Sequence, residues 1–113
     1  VPALNGKLNG IALRVPVPDV SLCDLAVMVG RAVTADEVND VLRTAAAAYA
    51  PGTLRIEDDP VVSSDLIGDP TGSIVDAALT YVQGGTLVKV VAWYDNEWGY
   101  ANRLYQLAIH MLG

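Results

Sequence analysis

From Lys7 to Pro18 the apolar residues Ile11, Leu13, Val15 and Val17 alternate with Ala12, Arg14 and Pro16. A period of two predicts a strand, ended by Pro16 and Pro18. A second strand is predicted over Ser21–Gly30. There Cys23, Leu25, Val27 and Val29 share one face, and Leu22, Ala26 and Met28 share the other with Asp24. Both faces are mostly apolar, as in a strand covered by protein on both sides. The period changes at Thr34-Ala35-Asp36-Glu37, which fits a capping box at the start of a helix. Val38, Val41, Leu42, Ala45, Ala46 and Tyr49 then form one stripe, with Asn39, Asp40 and Arg43 on the other face. Pro51-Gly52 stops this helix.

Short strands and loops are expected between Pro51 and Asp69. Two further strands, Ser73–Val82 and Thr86–Tyr94, are joined by Gln83-Gly84-Gly85, where glycine supplies positive φ. A last helix spans Tyr100–Leu112, with Leu104, Leu107, Ala108 and Met111 on its core stripe and Arg103, Gln106 and His110 on its wet face. The order β-β-α-β-β-β-α predicts an α+β fold: a mostly antiparallel sheet with helices on one face.

Composition narrows the class. The 113 residues, 52% of them hydrophobic, suit one domain. One cysteine excludes an internal disulfide, and no Cys/His cluster has zinc spacing, so a reducing cytoplasm is the expected compartment. The net charge of −6 and the scattered basic residues argue against nucleic acid or an anionic membrane as partner. No segment reads as a signal peptide or a transmembrane span.

Few residues invite chemistry. Cys23 has apolar neighbours and no nearby cation or histidine to activate it, so a buried structural thiol is expected. His110 reads as a solvated surface residue, and Glu57-Asp58-Asp59 as a solvated turn without metal-ligand spacing. Arg14 is flanked on its face by Gly10, Ala12 and Pro16, which leave its guanidinium room to take a phosphate or carboxylate; an internal salt bridge explains it equally well. The densest signal is Trp93-Tyr94-Asp95-Asn96-Glu97-Trp98-Gly99-Tyr100, at a strand-to-helix junction. Here Asn96 can cap the helix or bind a ligand amide, and Tyr100 can stack on a flat ring. The alternative is an aromatic clamp that locks the helix to the sheet.

The run Val90–Arg103 resembles the C-terminal signature of phosphorylating glyceraldehyde-3-phosphate dehydrogenases. Leu4–Gly10, Ala12–Pro16, Asp24-Leu25, Glu37-Val38-Asn39, Val62–Asp65 and Ser73–Asp76 match in the family's order. The resemblance implies part of an NAD- or NADP-linked enzyme that captures an aldehyde as a thiohemiacetal, oxidises it by hydride transfer and releases the acyl group to phosphate. It assigns Arg14 to substrate-phosphate or inorganic-phosphate binding, Asn96 to the nicotinamide carboxamide and Tyr100 to the nicotinamide ring. The chain matches only the latter part of the catalytic domain. It has no counterpart of the Rossmann domain, the Ser-Cys-Thr-Thr nucleophile segment or the activating histidine, and Cys23 does not align with the nucleophile. Smaller departures are Val17 for threonine, Thr71-Gly72 for His-Ser, and Tyr49–Gly52 for a Gly-Pro-Leu-Lys-Gly stretch.

Two expectations follow. The chain is the C-terminal portion of such a dehydrogenase, oligomeric, acting on a phosphorylated aldehyde beside a Rossmann-domain part and inactive alone. The alternatives are a non-catalytic oligomerisation module from the family and a portion of the related erythrose-4-phosphate dehydrogenase. Arg14 is expected in a shallow pocket near the Trp93–Tyr100 junction, free of any buried acid.

Overall fold

A computed structural model describes residues 1–113. Its elements are β1 (Ser21–Met28), α1 (Ala35–Ala48), β2 (Arg55–Glu57), β3 (Ile74–Asp76), β4 (Tyr81–Gln83), β5 (Leu87–Tyr94) and α2 (Trp98–Leu112). Short 3-10 turns lie at Pro2–Leu4, Ser63–Leu66 and Ala77–Leu79. The strands form one sheet, ordered β1-β5-β3-β2, with β4 also on β5. Only β2–β3 is parallel, so the expected α+β class with a mostly antiparallel sheet is the fold observed.

β5 is the organising strand. β1 runs along one of its edges from Ser21 opposite Tyr94 to Met28 opposite Leu87. Its other edge is shared: Ile74 and Val75 of β3 face Trp93 and Ala92, while Tyr81–Gln83 of β4 faces Lys89–Leu87. The sequence pattern had joined β3 and β4 into one strand. They do follow one edge, but Ala77–Leu79 winds into a 3-10 turn between them. Gly84 and Gly85 carry the hairpin back with φ of 57° and 75°, values that cost an L side chain energy.

The strand expected over Lys7–Pro18 does not form. Residues 8–20 have neither helix nor strand, and Ile11 and Leu13 are 88% and 80% exposed. A strand needs a ladder partner, this segment pairs with no strand of the sheet, and Pro16 and Pro18 donate no N–H. Nor is β1 covered on both faces: Leu22, Cys23, Leu25 and Met28 are all exposed. β1 is the outer strand of the sheet, and this chain supplies nothing that buries its side chains. Cys23 is therefore a surface thiol, not the core thiol its neighbours suggested.

The core is small. Val20, Leu66 and Ile74 are packed together, with Val61 and Trp93 beside them. Val88 and Val91 add buried positions on β5. Only 11 residues are buried, and the radius of gyration, 15.2 Å, exceeds the about 13 Å of a compact domain of this length. Much apolar surface consequently stays open.

α1 packs on β2. Its capping box forms as expected: Thr34 Oγ1 accepts from Glu37 N at 3.2 Å, and Glu37 Oε2 accepts from Thr34 N at 2.8 Å. Val38, Leu42, Ala45 and Ala46 are half-buried, whereas Val41 and Tyr49 lie exposed. Asn39, assigned by the pattern to the wet face, instead turns inward. Its Nδ2 donates to Ala77 O at 3.0 Å and its Oδ1 accepts from Thr80 Oγ1 at 2.7 Å, pinning α1 to the turn between β3 and β4. Thr34→Ala should remove one half of the capping box and lower the free energy of unfolding by about 0.5–2 kcal/mol, read as a reduced urea midpoint at unchanged m-value.

Candidate functional site

The junction between β5 and α2 is built around Asp95, which is 1% exposed. Its Oδ1 accepts from Glu97 N at 3.0 Å and from Trp98 N at 2.7 Å, so the free N–H groups that open α2 end on this carboxylate. Its Oδ2 accepts from Gly68 N at 2.8 Å and ties the junction to the turn after Ser63–Leu66. Burial alone would raise the pKa of Asp95, but these backbone donors from Gly68, Trp98 and Glu97 outweigh it and hold the carboxyl below its ordinary range. The helix is capped by Asp95 and not by Asn96.

That assignment frees Asn96. The residue is exposed; its Oδ1 accepts from Ser21 Oγ at 2.9 Å and its Nδ2 donates to Glu97 Oε1 at 3.3 Å. Tyr100, one helical turn on, is 63% exposed. The aromatic-clamp alternative belongs to another ring: Trp93 is half-buried against the core and its Nε1 donates to Asp76 Oδ2 at 3.2 Å. Trp93 therefore anchors the sheet, and the helix-side aromatics Trp98 and Tyr100 stay open.

Arg14 lies exposed in the irregular 8–20 segment and forms no ion pair; the five ion pairs of the chain use Arg31, Arg43, Arg55 and Lys89. This segment rejoins the sheet through Asp19 and Val20. Val20 is 4% exposed yet holds φ at 70°, a left-handed conformation that a β-branched side chain resists. The strain, about 1–3 kcal/mol, is of the size that burying a valine returns, so the core contact with Leu66 and Ile74 can hold it. The chain carrying Arg14 thus enters β1 at a fixed angle, one residue before Ser21.

α2 is covered by the rest of the chain only near its start, at Gly99, Asn102 and Arg103. Leu104, Leu107 and Met111 of its expected core stripe are exposed, while Arg103, placed on the wet face, lies against the body. Arg103 Nη2 donates to Pro70 O at 3.4 Å, and its guanidinium rests against Gly52 and its stem against Gly72; a Cβ at Gly52 would come within 2.9 Å of Nη2. Two of the departures from the family pattern, at residues 49–52 and 71–72, therefore meet at this side chain. The 69–71 segment beside it is fixed from below: Arg55 pairs with Glu57 at 2.6 Å and with Asp69 at 2.9 Å, and Asp69 Oδ1 accepts from Thr71 N at 2.8 Å.

Residues 1–96 match the family described as "Glyceraldehyde 3-phosphate dehydrogenase, C-terminal domain". The chain belongs to this family. It is 51% identical over 109 residues to glyceraldehyde-3-phosphate dehydrogenase 2 of Streptomyces avermitilis, covering 96% of this chain and 32% of that protein. It is 54% identical over 108 residues to glyceraldehyde-3-phosphate dehydrogenase 2 of Synechocystis, with 96% and 32% covered. Against the chloroplastic glyceraldehyde-3-phosphate dehydrogenase A of Chlamydomonas reinhardtii it is 53% identical over 108 residues, with 96% and 29% covered. The chain thus spans about a third of the length of these relatives. No helix of the structure is long and apolar enough to cross a membrane.

The junction presents two exposed groups of the kind that could meet a flat ring bearing a carboxamide. Asn96 offers an exposed amide of the kind that pairs with a carboxamide, and Tyr100 an exposed ring for a flat partner, both held by the helix start that Asp95 fixes.

Asp95→Asn keeps the shape but puts an amide N–H against backbone donors, and it should destabilise the chain by about 2–4 kcal/mol, the scale of charged hydrogen bonds lost in a buried site. The pH dependence has a definite sign. Asp95, Asp69, Glu57 and Glu37 are all held below their ordinary values, 3.8 for Asp and 4.5 for Glu. Their stabilisation is complete above those values and is lost as pH falls through the folded-state ones. Urea midpoints should hold between about pH 8 and 6 and drop below about pH 4.5, with a shallower drop in Asp95→Asn.

Proposed function

We propose that this chain is the C-terminal part of the catalytic domain of a phosphorylating glyceraldehyde-3-phosphate dehydrogenase that works with NAD or NADP. The observation that carries the reading is the Asp95-capped junction, which leaves Asn96 and Tyr100 exposed and positioned, in a chain of this family. In this role Asn96 holds the carboxamide of the nicotinamide and Tyr100 lies beside its ring. Arg14 takes the phosphate of a phosphorylated aldehyde or the incoming inorganic phosphate; its lack of an ion-pair partner supports that use. The cofactor, when bound, supplies the hydride acceptor, and these three residues bind and orient.

The 113 residues hold no nucleophile suited to the task. Cys23, the only cysteine, is an exposed thiol on β1 that does not align with the family's nucleophile. Nor do they contain a glycine-rich phosphate turn in a βαβ unit. Catalysis by this chain requires a nucleophile and a dinucleotide fold from other polypeptide. The exposed apolar residues of β1 and α2 support a partner for those surfaces, in a homo-oligomer or against such a Rossmann-domain part.

The native reading frame tests the reading directly. Coding sequence that runs upstream into a Rossmann domain supports it, whereas an initiator codon next to Val1 favours a non-catalytic oligomerisation module derived from the family. Turnover of erythrose-4-phosphate in preference to glyceraldehyde-3-phosphate points to the sister enzyme. The purified 113-residue chain should show no dehydrogenase turnover with glyceraldehyde-3-phosphate, phosphate and NAD or NADP, and at most weak cofactor binding by calorimetry. Turnover abolished by Cys23→Ser overturns the assignment. Arg14→Ala should weaken phosphate binding by about 1.5–3 kcal/mol, the worth of a charged hydrogen bond, in a calorimetric titration of the native protein.

A further inference from the structure

We propose that Ser21 is a positioning residue whose hydroxyl locks the Asn96 carboxamide with an N–H turned outward, ready to donate to a carbonyl oxygen of the nicotinamide cofactor. The inference rests on the cofactor reading of Asn96 above. Ser21 Oγ lies 2.9 Å from Asn96 Oδ1, although 75 residues separate the two in the chain. On the other side, Asn96 Nδ2 lies 3.3 Å from Glu97 Oε1.

Those two partners decide which way the amide points. A hydroxyl donates or accepts, so Ser21 by itself accommodates either flip of the amide. A carboxylate oxygen only accepts, so the group that faces Glu97 is the NH2. The oxygen then faces Ser21, and the Ser21 hydroxyl is the donor. With one N–H used on Glu97, Asn96 keeps one N–H free at an exposed position. Glu97 chooses the orientation and Ser21 holds it.

Ser21 is suited to hold it because its backbone is fixed. It is the first residue of β1, in register with Tyr94 of β5, and it follows the buried, left-handed Val20. Without its hydroxyl, Asn96 keeps only the long bond to its own neighbour, and its side chain must be ordered anew each time a ligand binds.

The test uses the native protein, with any sequence that precedes Val1 in its reading frame, and whichever of NAD and NADP it binds more tightly. Ser21→Ala should raise the calorimetric Kd and the KM for that cofactor about three- to ten-fold. The kcat should stay within about two-fold, because the lost interaction serves binding and not a transition state. Ser21→Thr, which restores the hydroxyl, should recover most of the affinity. In an Asn96→Ala background, Ser21→Ala should add nothing. If Asn96→Ala weakens cofactor binding and Ser21→Ala does not, Ser21 is no positioning residue and the reading of Asn96 stands. If Asn96→Ala leaves cofactor binding unchanged, the reading of Asn96 fails and Ser21 falls with it. A parallel loss of kcat, or a Ser21→Thr variant as impaired as Ser21→Ala, overturns the proposal by making the effect structural. Should Ser21→Ala not fold, Ser21→Cys, of similar shape but a weak donor, takes its place with the same expected outcomes.

Discussion

The buried carboxylate of Asp95 is the constraint on which the site depends. A strand that runs directly into a helix presents unsatisfied N–H groups at the first turn, and here they meet a buried acceptor. Asp95 accepts from Glu97 and Trp98 with one oxygen and from Gly68 with the other. One side chain therefore starts α2, sets its direction from β5 and joins it to the turn that contributes Leu66 to the core. Once Asp95 has satisfied those donors, its neighbour Asn96 is spared that task and can face outward. The order of residues in Asp95-Asn96-Glu97 matters physically: a buried acceptor, an exposed amide, then a carboxylate that orients the amide.

What could be read from the sequence was what local chemistry decides. Thr34 and Glu37 lie three residues apart and satisfy each other's backbone, so no distant part of the molecule is needed to form the box. Gly84-Gly85 likewise carries its turn in its own φ preferences. The misreadings all concern what lies next to what. The alternation from Ile11 to Val17 is real, but a strand exists only where it forms a ladder, and this proline-bearing segment pairs with no strand of the sheet. Asn39 looks polar and therefore wet, yet the turn between β3 and β4 places a carbonyl and a hydroxyl against it. The leucines of α2 are open because the rest of the chain reaches only the start of the helix and Arg103, and no periodicity within the helix records that. At the site, the density of Trp93–Tyr100 marked the right region. The division of labour within it, with Asp95 as cap and Asn96 freed, needed the positions of Gly68 and Ser21, which lie 27 and 75 residues away.

Cys23 and Leu25 show the same logic applied to burial. Their apolar setting was read as a core because apolar residues on both faces of a strand are normally covered on both faces. The sheet observed buries Ile74, Val75, Val88 and Val91 near its centre and leaves the outer strand open. Apolar side chains on β1 and on α2 are thus a specification for contact that the 113 residues do not themselves fulfil.

The proposed ligand-facing residues are likewise uncovered, and each is anchored by a neighbour that is not. Arg14 rides on a segment without ladder hydrogen bonds, yet that segment enters β1 through Val20, whose unfavourable φ is maintained by the contacts of a buried side chain. Asn96 is exposed, but it stands next to the most firmly held carboxylate of the junction and is bonded to the first residue after Val20. Asn96 is thereby referred to one small core of Val20, Leu66 and Ile74, joined to it through Ser21 on one side and through Asp95 and Gly68 on the other. Strain at Val20 and a buried charge at Asp95 thus lie at the root of the junction, and the exposed polar groups of Ser21 and Asn96 are held between them.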